Sequence, residues 1–146
     1  MSDPELVICP SCQAANRVPA ARIGGGPKCG RCGKPLFGIG PIEVAAAAFD
    51  RHVGKGSLPV LADFWAGWCG PCRMMAPAFA AATQDLEPAV RLVKVDSEAE
   101  QALASRHGIR SLPTLVLFAG GEERARISGA LDRRQLVGWV RQNLPA

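Results

Sequence analysis

Residues 58–77 read "LPVLADFWAGWCGPCRMMAP". An apolar run of strand length, interrupted only by Asp63, leads into Cys69-Gly-Pro-Cys72. Beyond it, apolar side chains recur at Met74, Met75, Ala78, Phe79, Ala82 and Leu86. The run predicts a buried strand, and the recurrence has the period of an amphipathic helix, with Pro77 expected to kink its axis. Cys69 then falls at a helix N-terminus, where unpaired N–H groups and the helix dipole stabilise a thiolate. Such a thiolate has a pKa below the roughly 8.5 of a free cysteine and is the attacking sulfur. Pro71 suits the first helical turn, because it has no N–H to leave unpaired and its φ is already set. It also stiffens the turn that keeps the two sulfurs in disulfide-forming range.

Outward from this stretch, strands and helices alternate. "AAAAFDRHVG" (45–54) predicts a helix capped by Gly54, and "VRLVKVD" (90–96) a second buried strand. Ser97 and Glu100 have capping-box spacing for a helix through His107 that Gly108 ends. "TLVLFAGGEERARISG" (114–129) predicts a hairpin over its Gly-Gly turn. A last helix, about 132–143, carries Leu136, Val137, Trp139, Val140 and Leu144 on one face. The pattern is that of an α/β fold with a mixed central sheet flanked by helices. His52 and His107 have no ligand-like neighbours and are expected on helix surfaces.

Composition bounds the function. At 146 residues there is room for one ordinary domain and a small module. Apolar residues make up 48% and charged residues 21%, enough for a real core. The net charge is +4, and the 17 basic residues are scattered, so no stripe suggests nucleic acid. No apolar run approaches the roughly 18 residues of a membrane helix. "MSDPELVICPSC" does not read as a signal peptide, so a cytoplasmic location is expected. In a secreted chain three structural bridges would compete; in a cytosolic one, CxxC pairs more often mean metal or redox chemistry.

Residues 1–40 have a different character from residues 41–146, and two domains are expected at that boundary. The first holds four cysteines and a Gly/Pro-rich stretch, "RIGGGPKCGRCGKPLFGIGP" (22–41), and is too short to fold without a staple. Cys9-x2-Cys12, sixteen intervening residues and Cys29-x2-Cys32 fit a four-thiolate zinc site. One zinc ion held by all four sulfurs has no open position, so its role is structural, and it supplies the folding energy the segment lacks. Gly33 follows the second pair, where a residue lacking Cβ can take positive φ and aim its N–H at a thiolate. Gln13 stands in the matching place after the first pair, a looser fit. Iron suits the same ligands, and two exposed dithiols on a flexible tail also satisfy the spacing.

"DFWAGWCGPC", "SLPT" and the late "SGA" resemble the thioredoxin family over residues 41–146, and the four-cysteine segment in front resembles its zinc-containing bacterial branch. The resemblance implies a thioredoxin fold with a small zinc-ribbon-like module, and a protein-disulfide reductase. Cys69 attacks a substrate disulfide, Cys72 resolves the mixed disulfide, and thioredoxin reductase with NADPH restores the dithiol. Asp63, in a strand covered on both faces, is expected to be buried with a raised pKa; in the family such an acid takes the proton of the second cysteine. Lys94 resembles the family's lysine near that acid, although an ordinary strand-end lysine fits the local sequence as well. Pro113 matches the family's cis-proline, which leaves the backbone of Leu112 free to pair with an extended substrate. Trp68, Gly70, Pro71 and Gly129 complete the implied substrate surface, and Trp65 flanks the site. Ser111 and Gly67 stand where the family varies. No bound organic cofactor is implied, the partners are disulfide-containing proteins, and the chain is expected to be a monomer. An oxidant or isomerase on the same fold is the near alternative, though Gly-Pro between the cysteines resembles the reducing members. A docking module is the distant one, and it has no need of Cys69, Cys72 and Asp63 together.

Overall fold

The strand predicted before Cys69 forms β4 (Val60–Trp65), the middle of a five-stranded sheet. The structure, a computed structural model, describes residues 3–145; Met1, Ser2 and Ala146, the outer ends of the two expected domains, lie outside the described residues. Sheet order is β3 (Ile42–Glu43), β5 (Arg91–Asp96), β4, β6 (Thr114–Ala119), β7 (Glu122–Ser128). The first three strands are parallel and the last two antiparallel, so the sheet is mixed. Helices α1 (Ala46–Asp50) and α3 (Gln101–Arg106) cover one face; α2 (Gly70–Leu86) and α4 (Arg133–Asn143) cover the other. Because alternate residues of a strand point to opposite faces, Leu61 joins Met75, Phe79, Leu92 and Leu136, whereas Ala62 and Phe64 join Phe49, Val93 and Phe118. Both faces being covered explains why β4 reads as continuously apolar. Asp63 shares the α2 face with Leu61.

The N-terminal segment is a hairpin of β1 (Glu5–Ile8) and β2 (Ala15–Val18) over a small core of Val7, Cys9, Val18, Cys29 and Leu36. Leu58 from the larger sheet's approach completes that core. The two parts are joined by Arg91, whose side chain is 2% exposed. Its guanidinium donates to the carbonyls of Leu36 (2.8 Å) and Ile8 (3.3 Å), pairs with Glu87 (3.1 Å) and lies 4.8 Å from the Phe37 ring centroid. Both terminal nitrogens of this buried cation therefore serve the junction.

Several local expectations give way to tertiary context. The first helix continues past Gly54 into a wider turn, Arg51–Lys55, and stops at Gly56. A Cβ on Gly56 would lie 2.9 Å from the His52 carbonyl and 3.2 Å from Ile8, so glycine permits the close approach of β1. His52 and His107 do not sit on helix surfaces. His52 is 3% exposed at the junction, where burial, then Arg91 and Arg51, lower its pKa to about 3. His107 is half-buried, with ring centroids of Phe49 and Phe118 each 5.3 Å away. Ser97 and Glu100 form no capping box; Asp96 accepts the N–H groups of Glu98 and Ala99, while Glu100 accepts from Ala46 at the start of α1. The capping box is at α4, between Asp132 and Gln135.

Candidate functional site

Cys69 is the N-cap of α2, and its sulfur accepts the Cys72 N–H at 3.2 Å. Gly70 and Pro71 open the helix, and Cys72 is carried one turn inward. Cys69 and Cys72 are joined as a disulfide with their Cα atoms 5.3 Å apart. Both are almost fully buried, and Ala66, Trp65 and Leu112 pack around them. A sulfur at this position receives the partial positive charge of the helix N-terminus, which favours it as thiolate and as leaving group.

Asp63 lies on the sheet face beneath α2, 1% exposed, and its Oδ1 has no hydrogen-bond partner among the described residues. Burial pushes its pKa up to about 7; Lys94 opposes the shift and Glu43 adds to it. Lys94 stands directly opposite Asp63 in the β4–β5 register, but its ammonium lies 4.7 Å from the Trp65 ring centroid and makes no ion pair within 4.0 Å among the described residues. A carboxyl poised near neutrality can both accept and return a proton under ordinary conditions.

The Leu112–Pro113 bond is cis. Gly129, at φ +99°, donates its N–H to the Pro113 carbonyl at 2.9 Å, which ties the end of β7 to this loop. Beside it runs a groove of about 380 Å³ that includes Trp68, Gln101, Ile109, Arg110 and Leu112. Trp68 is 68% exposed, unusual for so large an apolar side chain, and forms one wall.

The other four cysteines gather elsewhere. The sulfurs of Cys9, Cys12, Cys29 and Cys32 all lie within 4.8 Å of one another, with Cys9–Cys32 and Cys12–Cys29 each 3.6 Å apart. A tetrahedron with metal–sulfur bonds of about 2.3 Å has edges of about 3.8 Å, so the cluster fits one ion. Two matching turns build it. Cys9 N–H donates to Ala14 and Gln13 N–H to the Cys9 carbonyl; Cys29 N–H donates to Lys34 and Gly33 N–H to the Cys29 carbonyl. Gly33 thus bonds a carbonyl rather than a thiolate; the N–H groups of Arg31 and Cys32 reach the Cys29 sulfur, as those of Ser11 and Cys12 reach Cys9. Gln13 adopts φ +67° beside Gly33 at +76°, so the looser half of the motif takes the same turn with a side chain present. The Cys32 N–H and burial act oppositely on Cys29, with Asn16 assisting, and the thiol is lowered to about 6. Cys12 is drawn down by the backbone of Ala14, but burial and its neighbouring sulfurs leave it raised to about 11. Sulfurs this close cannot all ionise without a cation, and a metal ion supplies one.

A strand–dithiol–helix unit on a mixed sheet, with a buried acid behind it, defines a thiol–disulfide oxidoreductase. The thioredoxin family model matches residues 40–142, and a model described as "Thioredoxin 2, N-terminal" matches residues 8–34. The chain belongs to the thioredoxin family. It is 44% identical over 139 residues to "Thioredoxin C-3" of Corynebacterium nephridii, covering 95% of each chain. A thioredoxin of Rickettsia bellii is 39% identical over 102 residues, 70% of this chain and 97% of its own. Among solved structures, a mutant thioredoxin from Halobacterium salinarum NRC-1 superposes with TM-score 0.66 at 34% identity, covering 73% of this chain and 93% of that one. The enzyme is a disulfide reductase of the thioredoxin type, and the four-cysteine cluster is a metal-binding site. No helix among the described residues is long and apolar enough to cross a membrane.

Proposed function

We propose that the chain reduces disulfides in cytoplasmic proteins and is recycled by thioredoxin reductase with NADPH. The observation that carries this reading is the placement of Cys69 at the start of α2 with buried Asp63 beneath the same helix. Cys69, as thiolate, attacks one sulfur of the substrate disulfide, and the other substrate sulfur leaves with the electron pair. The Cys72 thiol gives its proton to Asp63, attacks the Cys69 sulfur and expels the second substrate thiolate. Lys94 tunes the acidity of Asp63. Trp68, Gly70, Pro71, Leu112, Pro113 and Gly129 form the docking surface, with the backbone of Leu112 pairing to an extended substrate segment.

Residues 1–40 form a module in which Cys9, Cys12, Cys29 and Cys32 hold one structural zinc ion, and residues 41–146 form the oxidoreductase domain, acting as a monomer. Zinc here closes its own coordination shell and takes no part in the exchange. The direct test is insulin reduction followed by NADPH consumption in the presence of thioredoxin reductase. Wild type is expected to turn over and Cys69→Ser to be inactive; a wild-type protein that the reductase cannot recycle contradicts the reading.

A further inference from the structure

The sheet register aligns one further ionisable group with Asp63 and Lys94. Glu43 on β3 pairs with Lys94 on β5, and Lys94 pairs with Asp63 on β4. Residues directly opposite in a parallel register point to the same face, so the three form one row across the sheet. The row runs from an exposed edge residue, through a half-buried lysine, to an almost wholly buried acid. Lys94 makes no close ion pair with either carboxylate among the described residues and rests over the Trp65 ring.

We infer that Glu43 is a positioning residue for the exchange reaction: from the edge strand it shares Lys94 with Asp63 and keeps the buried carboxyl able to hold a proton. The inference rests on the reading of Asp63 as the proton acceptor for Cys72. Without Glu43 one acid competing with Asp63 for the lysine is removed, and with it one negative charge two strands away. Asp63 then binds its proton less tightly and is a weaker base. The charges on this face are few: Lys94 and Asp96 from β5, Glu43 from β3 and none from the facing Leu115 of β6, while Cys72 of α2 is held in the disulfide; the charges that act on Asp63 are those of Lys94 and Glu43. The Glu43 carboxyl is itself held above its usual range by partial burial, with Lys94 pulling it down and Asp96 pushing it up. The pull of Glu43 on Asp63 points the same way as the geometry.

Neighbouring strands are about 4.8 Å apart, so the two carboxylates are separated by about 10 Å, where a unit charge moves a pKa by about 0.3 to 1 unit. The experiment is a ¹³C-carboxyl NMR titration of Asp63 in the oxidised protein, in which neither Cys69 nor Cys72 titrates. Glu43→Gln should move the Asp63 midpoint down by that amount, and Glu43→Asp, which keeps the charge, should restore most of it. At about 1 M salt the difference between wild type and Glu43→Gln should shrink only in part, because salt screens a charge acting on a buried carboxyl much less than it screens exposed pairs. An unchanged midpoint in Glu43→Gln, or an equal shift in Glu43→Asp, overturns the inference. The pH profile of insulin reduction supplies the second arm. Asp63→Asn should remove its inflection near neutrality and make the profile insensitive to Glu43→Gln. If Asp63→Asn leaves the profile unchanged, the role of Asp63 as base fails and this inference fails with it. If Asp63→Asn removes the inflection but Glu43→Gln does not move it, only the inference about Glu43 fails.

Discussion

Cys29-Gly-Arg-Cys32 and Cys69-Gly-Pro-Cys72 differ by one letter, yet the chain puts them in opposite surroundings. The first closes a tight turn in a Gly-rich loop, and its sulfurs meet a second pair 3.6 Å away. The second opens a 17-residue helix, and its sulfurs are joined to each other in a disulfide. Four converging thiolates need a cation; two at a helix terminus above a buried acid can pass electrons. Spacing brings two sulfurs together, and the element that follows decides what they do.

The comparison can be broken at four points of decreasing size. Cys72→Ser should stall the reaction after the first attack, so that a Cys69 mixed disulfide accumulates and turnover falls at least about a thousandfold. Mass spectrometry after mixing with a disulfide substrate reads it directly. The corresponding change in the other site, Cys32→Ser, should trap no substrate.

Arg91→Met keeps the volume but leaves the buried Glu87 carboxylate and two carbonyls without their donor. Removing one partner of a buried pair costs about 3–5 kcal/mol, which denaturant unfolding would register. The loss should loosen the junction between the two cysteine regions, seen as faster proteolysis near residues 36–40.

Asp63→Asn should slow exchange and yet stabilise the fold. An acid whose pKa is about 7 when folded and near 4 when unfolded favours the native state fully below about pH 4, and that contribution is lost as pH rises towards 7. At pH 8 the buried charge is absent in the variant, and a gain of about 2–4 kcal/mol is expected; near pH 3.5 the two proteins should be equally stable. Chemical denaturation at both pH values checks the sign.

The smallest effect separates the two metal turns. Gly33→Ala forces a Cβ into the left-handed region and should cost about 1 kcal/mol, whereas Gln13→Ala changes no backbone preference and should cost less. Thermal unfolding of the metal-loaded protein resolves the difference.

Much of this was legible in the sequence, because the decisive features are local. A strand covered on both faces announces itself as an apolar run, a helix by its period, and a hairpin by Gly120-Gly121. The matching pair upstream of Cys29, across sixteen intervening residues, and the helical period that follows Cys72 separate the two sites in the sequence itself. What could not be read depends on which elements meet. Arg91 looks like a charged residue at a strand start, and only the docking of β1 and residues 27–37 turns it into the buried cation of the junction. His52 and His107 lie on helical stretches with no apolar label, and β1 and the Phe49 cluster bury them. Ser97 and Glu100 have the spacing of a cap, but Glu100 is taken by α1. Glu43 carries no local signal at all, since its relation to Asp63 exists only through the strand order β3-β5-β4.

The central claim, that context assigns one cysteine set to metal and the other to electron exchange, is tested most directly by one paired measurement. Metal content per chain and insulin reduction should be determined together for Cys69→Ser and Cys29→Ser. The account predicts that Cys69→Ser retains one zinc ion per chain with no turnover, and that Cys29→Ser loses the metal while keeping substantial activity. Loss of metal from Cys69→Ser, or equal loss of activity in both, would contradict it.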